Sequence, residues 1–149
     1  MNETPVAFAD ADPQRTAERA AAAMWERDRA SQALGMRIVD VAPGTARLTM
    51  PVREDMLNGH AICHGGYIFT LADSAFAFAC NSYNLVTEAS GCSIDFVAPA
   101  RLDDLLTAHA IERSASGRTG VYDIDVTNQR GERIALFRGK SYRIKGNVV

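Results

Sequence analysis

The chain has 149 residues, 47% of them hydrophobic and 23% charged, which fits a single domain with a sizeable core. Its net charge of −2 gives no electrostatic reason to bind nucleic acid or an anionic membrane surface. The cysteines, Cys63, Cys80 and Cys92, are odd in number and form no CxxC pair, which argues against a disulfide framework or a zinc site and for a reducing compartment.

Residues 1–13 are polar, carry Pro5 and Pro13, and read as a flexible tail. Acidic residues come before any basic one and no apolar stretch follows, so this is not a signal peptide and a cytoplasmic location is expected. Residues 14–34 (QRTAERAAAAMWERDRASQAL) predict a helix stopped by Gly35. MRIVDV (36–41) and ARLTMPV (46–52) flank a Pro-Gly turn and predict a β-hairpin. Residues 53–64 are a loop.

The loop leads into two glycines, Gly65 and Gly66, and then an apolar helix that Asn81 and Asn84 help to end; the apolar run as a whole is GGYIFTLADSAFAFAC (65–80). It is short of the roughly 20 residues that span a bilayer, and Asp73 near its centre would be costly in lipid. Strands are predicted over 90–99, 105–114, 120–128 and 133–144, the last pair joined by the turn QRGE. In GVYDIDVTN, Tyr122, Ile124 and Val126 share one face, and Asp123, Asp125 and Thr127 the other. The expected architecture over 14–149 is one α+β domain with an antiparallel sheet around a long helix. A helix that is apolar all round must be enclosed. The sheet covers one side, and a second copy of the chain is the economical cover for the other.

Two features of this helix carry chemistry. A helix N-terminus offers unpaired N–H groups and partial positive charge, and Gly65 and Gly66 have no side chains to block a carbonyl oxygen. The same pair also serves as a plain tight turn. Asp73 is either a carboxylate satisfied by a structural hydrogen bond or a nucleophile or general base tuned by apolar surroundings. Gly65 and Asp73 are separated by about 12 Å of helix rise, too far for both to meet one carbonyl from a single helix. Two antiparallel copies would solve this, with Gly65 or Gly66 of one chain facing Asp73 of the other.

NGHAICHGGYIFTLADSAFAFACNSYN, with SIDFVAPARLDDLL and GERIALFRGKSYRI further on, resembles the hotdog-fold acyl-CoA thioesterases, in particular the PaaI type of phenylacetate degradation. The resemblance spans roughly residues 20–145. It implies Asp73 as the catalytic carboxylate and Gly65 as the backbone donor that polarises the thioester carbonyl. It also implies Asn58 and His64 as polar residues ordering the site, and Ser93 as a hydroxyl that positions water. The implied fold is a sheet wrapped around the long helix, paired into homodimers and often into dimers of dimers.

Coenzyme A, part of substrate and product, brings phosphates. Ser116, Gly117 and Arg118 in one turn, and Arg138, Lys140 and Arg143 on the last strand, are candidates to meet them, with Gly66 beside the thioester. Each cation is equally well read as part of a solvated strand face. His60 and His109 lack ligand spacing with His64, so no metal is expected, and no other cofactor is needed. Cys63 beside His64 is a weak candidate for a nucleophile pair, and Trp25 and the aromatic residues of the helix read mainly as packing. The expected activity is hydrolysis of phenylacetyl-CoA, its ring-hydroxylated forms or related aryl or medium-chain thioesters, with no nucleic acid or membrane partner. The alternatives are a hydratase or dehydratase pairing His64 with Asp73, and a non-catalytic acyl-CoA binder.

Overall fold

The computed structural model describes residues 12–149. Most of the expected tail lies outside those residues. Asp12 and Pro13 instead begin the first helix: the Asp12 carboxylate accepts from the Gln14 N–H at 3.1 Å, and Pro13 takes the first helical position. This helix, α1 (Pro13–Arg27), buries Ala17, Ala20 and Ala21. The single helix expected over 14–34 is broken at Asp28, whose carboxylate accepts from both the N–H and the hydroxyl of Ser31 and so caps a second, one-turn helix, α2 (Arg29–Ala33). Aspartate competes for backbone donors better at a cap than in a helix interior, and here the cap wins.

Strands β1 (Arg37–Ala42) and β2 (Thr45–Pro51) form the expected hairpin. A 3-10 turn (Glu54–Met56) and an irregular loop follow, then α3 (Gly65–Cys80). Strands β3 (Leu85–Phe96), β4 (Leu105–Ser116), β5 (Thr119–Thr127) and β6 (Arg133–Asn147) complete the fold. β3 starts five residues earlier than expected and stops at Phe96. The left-handed Asn84 (φ 64°) lets the chain turn straight from the helix into the strand.

The six strands form one antiparallel sheet in the order β1-β2-β4-β5-β6-β3. The inward residues alternate as strand periodicity requires: Ala46, Leu48 and Met50 on β2, Leu106, Ala108 and Ala110 on β4, Tyr122, Ile124 and Val126 on β5. They pack on Ile68, Leu71, Ala72, Ala75, Phe76 and Ala79 of α3. Phe76 meets Tyr122 and Phe137, while Phe69 meets Phe137 edge-on. Burying Phe76 and Phe78, each 1% exposed, contributes about 1.5–3 kcal/mol apiece. Gly139 on β6 admits the Phe76 ring, because a Cβ there would lie 2.8 Å from three ring atoms. This is a hotdog fold, with α3 laid across the sheet. Among the described residues no helix is long and apolar enough to cross a membrane.

Candidate active site

The loop before α3 is tied down at several points. The Cys63 N–H donates to the Ala100 carbonyl and the His64 N–H to the Met56 carbonyl, both at 2.8 Å. Asn58 closes the tip: its side-chain oxygen accepts from the His60 N–H at 2.9 Å, and its backbone N–H donates to Ile62. The Asn58 oxygen is thus spent on the loop, and the amide nitrogen is left for other partners.

His64 is the N-cap of α3, and its Nδ1 accepts from the Gly66 N–H at 2.9 Å. That bond assigns different work to the two glycines. The Gly66 N–H is occupied, whereas the Gly65 N–H has no partner among the described residues. Gly65 therefore presents an open donor at the positive end of the helix. Beside it lies an apolar cavity of about 500 Å³, walled by Ile62, Ile68, Phe96, Val97 and Pro99, with Asn58 at its margin.

Asp73 sits two turns further along α3 and is half-buried. No hydrogen bond or ion pair reaches its carboxylate among the described residues, and burial raises its pKa above the ordinary aspartate range. It belongs to a stripe, Gly66, Thr70, Asp73 and Ala77, that runs along the side of α3 left partly open while the opposite side is sealed by the sheet. Its side chains are small, so another helix can approach closely.

On β3, Cys92 and Ser93 lie on opposite faces of the sheet. Cys92 pairs with Gly139, which faces Phe76, so it lies on the α3 side of the sheet; it is exposed, and its thiol pKa is raised by partial desolvation and then by the Asp73 charge. Cys80, one further turn along, is pushed up to about 12, chiefly by burial. Ser93 points away from α3, into a groove on the outer face of the sheet with Asp95, Asp123 and Arg138. A one-residue step along a strand reverses the face, so an offset of one in the motif separates Ser93 from Asp73.

The cations are divided between two places. Arg138 forms a two-pronged pair with Asp123 (2.7 and 3.0 Å) on the outer face, and Lys140 lies exposed on the same strand. Arg118 sits in the β4–β5 turn with Ser116 and Gly117, and its carbonyl accepts from the Arg143 N–H at 2.7 Å. Arg118 and Arg143 rim a small cavity of about 70 Å³ at the C-terminal end of α3. Its wall holds a cluster with no signature in the sequence: Glu112 accepts from the hydroxyls of Tyr83 (3.1 Å) and Tyr122 (2.9 Å). Those residues come from the α3–β3 connection and two different strands, so no local spacing announces them. Among the described residues no group of His, Cys, Asp and Glu is arranged to hold a metal ion.

One chain therefore carries an open helix-terminal N–H and an unpartnered carboxylate about 12 Å of helix rise apart. Within one chain His64 lies about 14 Å of helix rise from Asp73, with its Nδ1 bonded to the Gly66 N–H, so the two do not share a proton inside a single copy. Such parts suit acyl transfer from an activated carbonyl, with the two groups meeting across a pair of helices.

Comparison with known proteins agrees with this chemistry. The family model described as the thioesterase superfamily matches residues 60–135, from the loop before α3 to β6. The chain belongs to that superfamily and is a thioester hydrolase of the PaaI type. It is 52% identical over 126 residues to the acyl-coenzyme A thioesterase PaaI of Escherichia coli, covering 85% of this chain and 90% of that one. The solved E. coli PaaI structure, from the phenylacetic acid degradation operon, superposes with a TM-score of 0.90 at 49% identity over 91% of this chain and 99% of the other. A hypothetical thioesterase from Streptococcus pneumoniae, solved with coenzyme A, matches with a TM-score of 0.77 at 27% identity, covering 83% of this chain and 97% of its own.

Proposed function

We propose that this enzyme hydrolyses acyl-CoA thioesters, with phenylacetyl and ring-hydroxylated phenylacetyl groups as the favoured acyl class, to the free acid and CoA. The supporting observation is the Asp73 carboxylate: half-buried, without a partner, and on the open stripe of α3. The acyl preference rests on the likeness to PaaI, which comes from a phenylacetic acid degradation operon.

The working unit is a homodimer in which two α3 helices lie antiparallel. The Gly65 N–H of one copy takes the thioester carbonyl oxygen, and Asp73 of the other reaches the carbonyl carbon. The long edge strand β3 has one side unpaired within the chain, and a second β3 can extend the sheet there. Dimers pair further into dimers of dimers. Arg118 and Arg143 supply the positive charge for the CoA phosphates. No metal or redox cofactor enters, because a thioester is already activated, and the expected compartment is the cytoplasm.

In the general-base route, Asp73 removes a proton from water as the water oxygen bonds to the carbonyl carbon. The oxyanion rests on the Gly65 N–H and the helix N-terminus; the C–S bond then breaks and the CoA sulfur takes the proton. In the nucleophilic route, the Asp73 oxygen attacks, CoA thiolate leaves, and water cleaves the resulting anhydride. In both, a carboxylate lifted by burial is a better base and nucleophile than an exposed one.

The test is thiol release from acetyl-, hexanoyl-, palmitoyl-, benzoyl-, phenylacetyl- and hydroxyphenylacetyl-CoA, with wild type and Asp73→Asn. Release that depends on Asp73 and is fastest on the arylacetyl thioesters supports the proposal. Fastest release on palmitoyl-CoA overturns the substrate class, and near-wild-type turnover by Asp73→Asn overturns the mechanism.

A further inference from the structure

The geometry points to Phe96 as the residue that determines acyl specificity, one face of its ring covering Gly65 and the rest forming an aromatic wall for the acyl group. This rests on the proposal that the Gly65 N–H receives the thioester carbonyl.

Phe96 is the last residue of β3 and follows Ile94 in the series that faces α3. At this point the helix has run out of side chains, because it begins Gly65-Gly66. The Phe96 ring fills the notch. A Cβ on Gly65 would lie 2.8 Å from Cζ, 3.2 Å from Cε1 and 3.3 Å from Cε2. Two near-equal Cε distances, only slightly longer than that to Cζ, describe a ring lying flat over the glycine rather than pointing at it. Gly65 is therefore required by the ring as well as by the substrate, and even one methyl would force the ring away.

The remainder of the ring is unusually open. Phe96 is 52% exposed, whereas Phe76, Phe78 and Phe137 are at most 2% exposed. An aromatic ring half in water and not used for packing has its free surface available to a ligand. That surface lines the 500 Å³ cavity together with Ile62, Ile68, Val97 and Pro99, and the same cavity touches Gly65. A thioester whose carbonyl oxygen accepts from the Gly65 N–H must send one arm towards this cavity. The pantetheine arm carries amides and leads to phosphates, and the cavity lining holds no cation and only Asn58 as a polar side chain. The acyl arm is the better occupant, and an aryl group on it gains an offset or edge-to-face contact with Phe96 that a straight alkyl chain does not.

The experiment compares kcat/KM for phenylacetyl-CoA and hexanoyl-CoA in wild type, Phe96→Leu and Phe96→Trp, with thermal melts to confirm that each variant folds. The aryl-to-alkyl ratio is expected to fall about fivefold in Phe96→Leu, the scale of one aromatic pair, and to persist in Phe96→Trp. A ratio within twofold of wild type in Phe96→Leu, or an equal fall in both variants, overturns the assignment. If wild type releases no thiol from either thioester, it is the proposed function that fails, and the two failures are thereby told apart.

Discussion

Asp73 and Asp104 are both withdrawn from solvent, yet they lie in opposite environments. Asp104, 4% exposed at the start of β4, is fully partnered: Oδ2 accepts from the Arg101 N–H at 2.9 Å, Oδ1 from the Gln129 amide at 3.0 Å, and Arg130 lies 3.7 Å away. Burial alone would raise its pKa, but those donors and charges outweigh burial and hold it below the ordinary range. Asp73 has burial without partners, and its pKa moves up. Burial by itself therefore does not mark a functional carboxylate. Burial left uncompensated does, because a fold has no structural reason to keep it.

The largest effect is expected at Asp73. Asp73→Asn is expected to lower kcat by about a thousandfold, the scale of a lost general base, while the fold persists. Its melting temperature at neutral pH should equal or exceed that of wild type, because the substitution removes an ionised group that burial disfavours. A clearly lower melting temperature would mean that the carboxylate is structural.

The reverse pattern is expected of Asp104→Ala. It strands the Arg101 N–H and the Gln129 amide and should cost about 2 kcal/mol in urea unfolding, with turnover per folded molecule retained. The two residues also separate by pH. A depressed folded pKa means that Asp104 contributes stability at neutral pH that is lost as acid protonates it. A raised folded pKa means that the Asp73 site is most comfortable in acid and loses stability as pH rises through its ionisation. Wild-type activity should therefore fall on acidification at a pH above the ordinary aspartate range, before the Asp104-linked loss of stability, and pH profiles of kcat and of the melting temperature would check that order. A smaller effect is expected at the helix start: His64→Ala removes the cap on Gly66 and should cost about 1 kcal/mol in the same unfolding experiment.

Much of this fold was legible in the chain. The alternation in GVYDIDVTN put Tyr122, Ile124 and Val126 on one face, which is the buried one, and the apolar run 65–80 forms α3, whose first turn takes in both glycines. Its start could be read because glycine and histidine there answer to local backbone needs. The break at Asp28 was missed because a cap and a helix interior compete within less than 1 kcal/mol of propensity. Ser93 was expected as the hydroxyl that positions water, and the structure places it on the sheet face away from α3; a motif locates a strand, but only pairing fixes its register.

The sequence by itself determined what depends on neighbours along the chain: the helix and strand periods, the turn residues, and one carboxylate stranded in an apolar helix. The three-dimensional structure alone shows that His64 occupies the Gly66 N–H and leaves that of Gly65 open, that Ser93 faces away from α3, that Arg138 is bound to Asp123, and that the Phe96 ring lies over Gly65. The cap is local but shows only once the His64 rotamer is fixed, whereas the others join residues brought together by chain reversal, and their distances follow from how α3 sits on the sheet. No spacing along the sequence encodes that placement.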